Sequence, residues 1–111
     1  MRPSPRLISA LALLITAEAY GANCTTLISL AEAKNLPDDS IICVKGHISE
    51  RLSDDDYLLR DASGTLVVEI DNHLWRGQLV AHKGQLLLQG ELDQEDYETE
   101  LDVDSLTILN P

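Results

Sequence analysis

With 111 residues, the chain has room for one domain around one modest hydrophobic core. It carries 19 acidic residues against 8 Lys and Arg, for a formal charge of −11 with histidine neutral, and it contains no Phe. That balance argues against nucleic acid phosphates and anionic lipids as partners, since both call for clustered Lys and Arg, and it favours cationic ones.

The first segment reads as an export signal. Arg2 and Arg6 form a short basic region, Leu7 to Ala17 is apolar apart from Ser9 and Thr16, and Ala17-Glu18-Ala19 offers small residues where a signal peptidase reads. The apolar run is short for a transmembrane span, so residues 1–19 are expected to be a secretory signal, cleaved after Ala19 or Gly21, rather than an uncleaved anchor. No stable membrane anchor is expected afterwards: Asn23 stands where lipoprotein processing at Cys24 wants a small residue. Without residues 1–19 the chain keeps 18 acids against 6 Lys and Arg, a net charge of −12.

Residues 20–28 form an N-terminal segment and residues 29–111 the domain. Cys24 and Cys43 are the two cysteines. In an exported protein such a pair is expected to form a disulfide, with free thiols as the alternative. There is no CxxC and no nearby histidine to make a zinc site. Closing this loop stabilises a fold by roughly 3 kcal/mol in the chain-entropy picture.

Ser29-Leu30-Ala31-Glu32 has the Ser-x-x-Glu form of a capping box, which predicts a short helix stopped by Asn35 and Pro37. From Ile41 to Leu52 the period becomes two: Ile42, Val44, Ile48 and Leu52 are expected inside, and Cys43, Lys45, His47, Ser49 and Arg51 outside. Gly46 falls on the inner face, where a missing side chain lets a strand bend. Tyr57 to Arg60 and Thr65 to Ile70 are the next strands, joined by Asp61-Ala62-Ser63-Gly64. Asp71 to Gly77 reads as a helical turn with Leu74 and Trp75 as its apolar content, and Trp75 is expected to plug one end of a barrel.

Lys83-Gly84 turns into a fourth strand, Gln85 to Leu92, with Leu86, Leu88 and Leu92 inward. Asp93 to Asp96 is expected to turn, and a fifth strand to run from about Tyr97 to Val103. An irregularity near Asp104-Ser105 precedes further core contact at Leu106 and Ile108. Helix, three strands, helical connection, two strands is the order of an all-β, five-stranded OB-fold Greek-key barrel; a small open antiparallel sheet has similar periodicity.

Leu36-Pro37-Asp38-Asp39, Gly46 with Ile48, Asp54-Asp55-Asp56-Tyr57 and Arg60-Asp61-Ala62-Ser63-Gly64-Thr65 are followed by Val68 to Asp71, Trp75 with Gly77, and Gly90-Glu91-Leu92-Asp93. Together they resemble the bacterial OB-fold family of small exported proteins, the YgiW type. The resemblance covers Ser29 to Pro111 and implies a periplasmic OB barrel associated with tolerance of envelope stress rather than with catalysis. The two cysteines are not part of that pattern.

The residues themselves point away from an enzyme and from any cofactor. His47, His73 and His82 are widely separated, with no HxH or HExxH spacing and no Gly-x-Ser-x-Gly. Oligonucleotide-binding barrels place aromatic and basic residues on strands two and three, which this acidic chain lacks in number, so no nucleic acid is expected. Instead Asp54, Asp55 and Asp56 occupy the loop between strands one and two, and Asp93, Glu95 and Asp96 the loop between strands four and five. Those loops border one face of an OB barrel. With Tyr57 and Tyr97 behind them they describe a seat for a cationic peptide, a polyamine or a divalent ion, against the plainer reading that acidic turns keep hairpin tips solvated. The alternative function is an interaction module docking on an envelope protein or cell-wall component. Glu98, Glu100, Asp102 and Asp104 share one outward face of the fifth strand, expected to be a solvated edge guard, with metal coordination as the sharper reading. Neither acidic turn has an EF-hand loop.

Overall fold

The computed structural model describes Cys24, residues 26–77 and residues 84–109; the expected signal segment, Tyr20, His82 and Lys83 lie outside the described residues. Five strands form the wall: β1 (Ile41–Arg51), β2 (Asp56–Asp61), β3 (Gly64–Glu69), β4 (Leu86–Glu95) and β5 (Glu98–Ile108). They close in the order β1-β2-β3-β5-β4, with β4 returning to β1. Every pairing is antiparallel except β3 with β5. This is a five-stranded Greek-key barrel of the OB type, not an open sheet.

Among the described residues two one-turn helices complete it, α1 (Leu30–Ala33) and α2 (Asn72–Trp75). A single turn is too short to persist by propensity alone, so its contacts must hold it. In α1 the capping box forms as expected: the Ser29 hydroxyl accepts from the Glu32 amide at 3.1 Å, and the Ser29 amide donates to Glu32 Oε1 at 3.3 Å. Two further first-turn amides are satisfied by the β2–β3 turn. Leu30 N–H donates to Asp61 Oδ2 and Ala31 N–H to Ser63 Oγ, both at 3.0 Å. Asp61 Oδ1 also accepts from the Ser63 and Gly64 amides, so one carboxylate joins helix to hairpin.

Inward residues alternate along the strands. Ile42 and Val44, Tyr57 and Leu59, Leu66 and Val68, Leu86 and Leu88, and Leu101 and Val103 meet in one core, capped by Leu30 and Ala33 from α1. Burying each large aliphatic side chain contributes roughly 1.5–3 kcal/mol. Trp75 enters this core from α2 and lies edge-on to Tyr57, with ring centroids 5.7 Å apart. Gly46 lies in the buried wall because a Cβ there would sit 2.5 Å from the Arg60 carbonyl oxygen.

The disulfide between Cys24 and Cys43 is present, spanning 19 residues with Cα atoms 5.5 Å apart. Ile28 N–H donates to the Cys43 carbonyl at 3.0 Å, and Cys43 N–H to that of Thr26 at 3.1 Å. The N-terminal segment therefore lies along β1 and buries the outward-facing Cys43 and Leu87. Disulfides belong to oxidising compartments, and among the described residues no helix is long and apolar enough to cross a membrane.

Two expectations need correction. Leu52 is 45% exposed rather than inside. The β1–β2 pairing jumps from Ile48–Leu59 to Glu50–Leu58, so Ser49 is an extra residue that resets the alternation. Arg51 therefore pairs with Tyr57 and holds its guanidinium over that ring, 5.6 Å from the centroid, while Leu52 turns outward. The second concerns the β4–β5 connection. β4 continues to Glu95 and the turn is Asp96-Tyr97, with Asp96 at φ 51°, a left-handed conformation Asp tolerates. Asp93 and Glu95 are thus strand residues. The irregularity near Asp104 is real but does not end the strand: Gln89 pairs with Ser105 and Gly90 with Val103, leaving Asp104 as the bulge.

Candidate cation-binding face

Outward side chains of neighbouring strands lie side by side where their residues are in register. Asp56 of β2 is opposite Glu69 of β3, Glu69 is opposite Asp102 of β5, and Asp102 is opposite Glu91 of β4. Four carboxylates thus stand in one row across four strands. In the adjacent row Leu58 faces Val67, Val67 faces Glu100, and Glu100 faces Asp93.

Carboxylate oxygens of Asp56, Glu69 and Glu100 lie within 4.8 Å of one another, and so do those of Asp55, Glu69 and Asp71. Glu69 belongs to both groups. Beside it a hollow of about 160 Å³ is lined by Asp39, Glu91, Asp93, Glu100 and Asp102 as well as Glu69 and Leu92.

Like charges directly across a sheet oppose folding. Partial burial, then the charges of Asp102 and Asp56, push the Glu69 carboxyl above its usual range. Burial followed by Asp56 and Glu69 does the same to Glu100. Asp102 is raised by burial and then by Asp104 and Asp71. Glu91 is raised first by its hydrogen bond with Asp39 and then by that residue's charge. Burial favours the protonated carboxyls, and the repulsion between neighbouring carboxylates is what a bound cation would relieve. An all-oxygen donor set suits hard cations such as Ca²⁺ and Mg²⁺.

Another, larger hollow of about 420 Å³ lies alongside, where β3 and β5 diverge. Leu52, Leu58, Val67 and Tyr97 supply its apolar lining, and Asp56, Glu98 and Glu100 its acidic one.

The expected site residues fare differently. Asp56 and Asp93 belong to the two rows, and Asp55 flanks Glu69. Asp54 is exposed and uses its carbonyl to accept from Arg51 Nη2 at 2.9 Å. Glu95 and Asp96 are exposed at the hairpin tip, outside the close carboxylate groups. Tyr97 is fully exposed and lines the larger hollow. Tyr57 has no exposed surface: it faces inward with Leu59 and packs on Trp75, so neither ring can stack on a ligand. The acidic concentration is consequently a sheet face rather than a rim between two loops. Glu69, Glu91, Asp39 and Asp71 join the face without having been expected as binding residues. The outward phase of Glu69, between inward Val68 and Ile70, was the available signal. β5 is no edge here, since it pairs with β3 and β4 on its two sides over residues 100–102.

The closed Greek-key barrel defines an OB-fold protein, and the chain belongs to a bacterial family of that fold: the profile described as "Bacterial OB fold (BOF) protein" matches residues 14–108. Among individual proteins, it is 40% identical over 86 residues to Protein YgiW of Escherichia coli K12, covering 78% of this chain and 66% of that protein. It therefore spans just under two thirds of that relative's length. The solved structure of E. coli ygiW superposes with a TM-score of 0.72 at 36% identity, covering 80% of this chain and 99% of that one. The "Calcium-regulated OB-fold protein CarO" of Pseudomonas aeruginosa is 32% identical over 89 residues, covering 80% of this chain and 76% of that protein.

Proposed function

We propose that this is a non-enzymatic, periplasmic OB-fold protein that binds cations at its acidic sheet face and contributes to tolerance of envelope stress. The observation that carries the reading is the register of Asp56, Glu69, Asp102 and Glu91 across four strands. A protein that tolerates such a row without a role for it forgoes stability. The relative named as calcium-regulated supports a divalent ion as one ligand class. Exposed ion pairs contribute only about 0.2–1 kcal/mol each, so binding depends on several carboxylates acting on one multivalent cation. The same charge repels nucleic acid. The disulfide supports an oxidising compartment such as the periplasm.

Isothermal titration of the signal-free protein with Ca²⁺, Mg²⁺ and spermine tests this reading. Saturable heats are expected that weaken with salt and are lost in a Glu69→Gln/Glu100→Gln variant. No saturable binding of any of the three, or equal binding by the variant, would overturn it. Cell fractionation and survival of a deletion strain under membrane-active stress test the location and the role.

A further inference from the structure

We infer that the hollow between the diverging parts of β3 and β5 is a docking groove for an extended peptide segment that alternates basic and apolar residues. The proposal rests on the cation-binding reading, because Asp56 and Glu100 serve both.

Three observations carry it. First, β3 and β5 pair at only three positions: Val67 with Glu100, Val68 with Leu101, and Glu69 with Asp102. Before these rungs Gly64–Leu66 remain joined to β2, and Glu98–Thr99 to β4, but among the described residues no strand joins those two edges to each other. Open strand edges are what an added extended chain uses.

Second, the space between them is apolar as well as acidic. Leu52, turned outward by the Ser49 bulge, and the fully exposed Tyr97 are among the few large hydrophobic side chains the fold leaves uncovered. They line the groove with half-buried Leu58 and Val67. A bare metal ion or a polyamine gains little from such a lining, whereas apolar side chains of a peptide bury against it.

Third, the charge selects the occupant. Among the described residues, Asp56, Glu98 and Glu100 line the groove against one cation, Lys34. Side chains alternate on an extended peptide, so apolar residues can turn to Leu58 and Val67 while Lys or Arg residues meet the carboxylates. Anionic lipids and nucleic acids are repelled by the same groups.

The test uses the signal-free, disulfide-bonded protein and two blocked, fluorescent hexapeptides of equal charge, one alternating Lys and Leu, the other Lys and Ser. Fluorescence anisotropy is expected to show the Lys-Leu peptide binding about tenfold tighter. A Leu52→Ser/Tyr97→Ser variant, changed only at exposed positions, is expected to lose that advantage while keeping its Ca²⁺ and spermine titrations. Equal affinity for both peptides alongside intact Ca²⁺ or spermine binding would overturn the groove but not the cation reading. Failure of every cation, peptides included, would overturn both. A concentration-dependent dimer that the double variant dissolves, without peptide preference, would assign the surface to a second copy and also overturn the proposal.

Discussion

Replacing Glu69 with Gln should make the cation-free protein more stable. Glu69 is opposite Asp56 on one side and Asp102 on the other, so the substitution removes two like-charge pairs. Each cross-strand pair of this kind is worth roughly 0.2–1 kcal/mol. Solvent screening of a part-exposed face puts the combined gain at about 0.5–1 kcal/mol. For a domain of this size that is a rise in Tm of about 2–8 °C. The pH dependence follows from the raised Glu69 carboxyl. A carboxyl raised in the folded state binds its proton more tightly there, so its stabilising effect is complete below the unfolded value and is lost as pH rises through the folded one. The benefit of Gln is therefore greatest near neutral pH and disappears below the ordinary value of 4.5. Circular dichroism melts of both proteins in chelator, at pH 4 and pH 7.5 and at low salt, measure it. A variant that melts at or below the parent at pH 7.5 would refute the reasoning, because the row would then not be in electrostatic conflict.

Other outcomes follow from the barrel itself. Removing the disulfide as Cys24→Ser/Cys43→Ser should cost about 3 kcal/mol in denaturant unfolding, and intact mass should shift on reduction only in the parent. Gly46→Ala should destabilise by about 1–3 kcal/mol, since its Cβ would meet the Arg60 backbone and only a strand shift relieves that; a neutral result in urea unfolding would contradict the close approach. For Asp61, burial pushes the carboxyl up, but the hydrogen bonds from Ser63, Leu30 and Gly64 together hold it below its ordinary 3.8. Its contribution is present above the unfolded value and lost as pH falls through the lowered folded one. Asp61→Asn should thus cost about 1–3 kcal/mol at neutral pH and less in acid melts.

Local features of the chain announced much of this structure. The Ser29 and Glu32 capping box, the Asp61–Gly64 turn and the alternation of Leu66, Val68 and Ile70 each follow from chemistry within a few residues. What stayed hidden depends on pairing between distant segments. Nothing near Leu52 marks Ser49 as a bulge, because a bulge is defined by the partner strand. The position of the β4–β5 turn was likewise open, since acidic residues serve a turn or an exposed strand face equally well. The candidate site depends most on non-local contact: only the parallel pairing of β3 with β5 brings Glu69 beside Asp102. Tyr57 was misjudged because its acidic neighbours suggested a surface, whereas its strand phase, shared with Leu59, turns it into the core.

Amide chemical-shift mapping of the ¹⁵N-labelled protein lacking residues 1–19 during Ca²⁺ titration tests the central claim most directly. The acidic face predicts saturable shifts centred on Glu69, Glu91, Glu100 and Asp102, fitting one apparent Kd and absent in the Glu69→Gln/Glu100→Gln variant. Shifts that never saturate, or that spread evenly over all exposed acidic residues including Glu95 and Asp96, would contradict it.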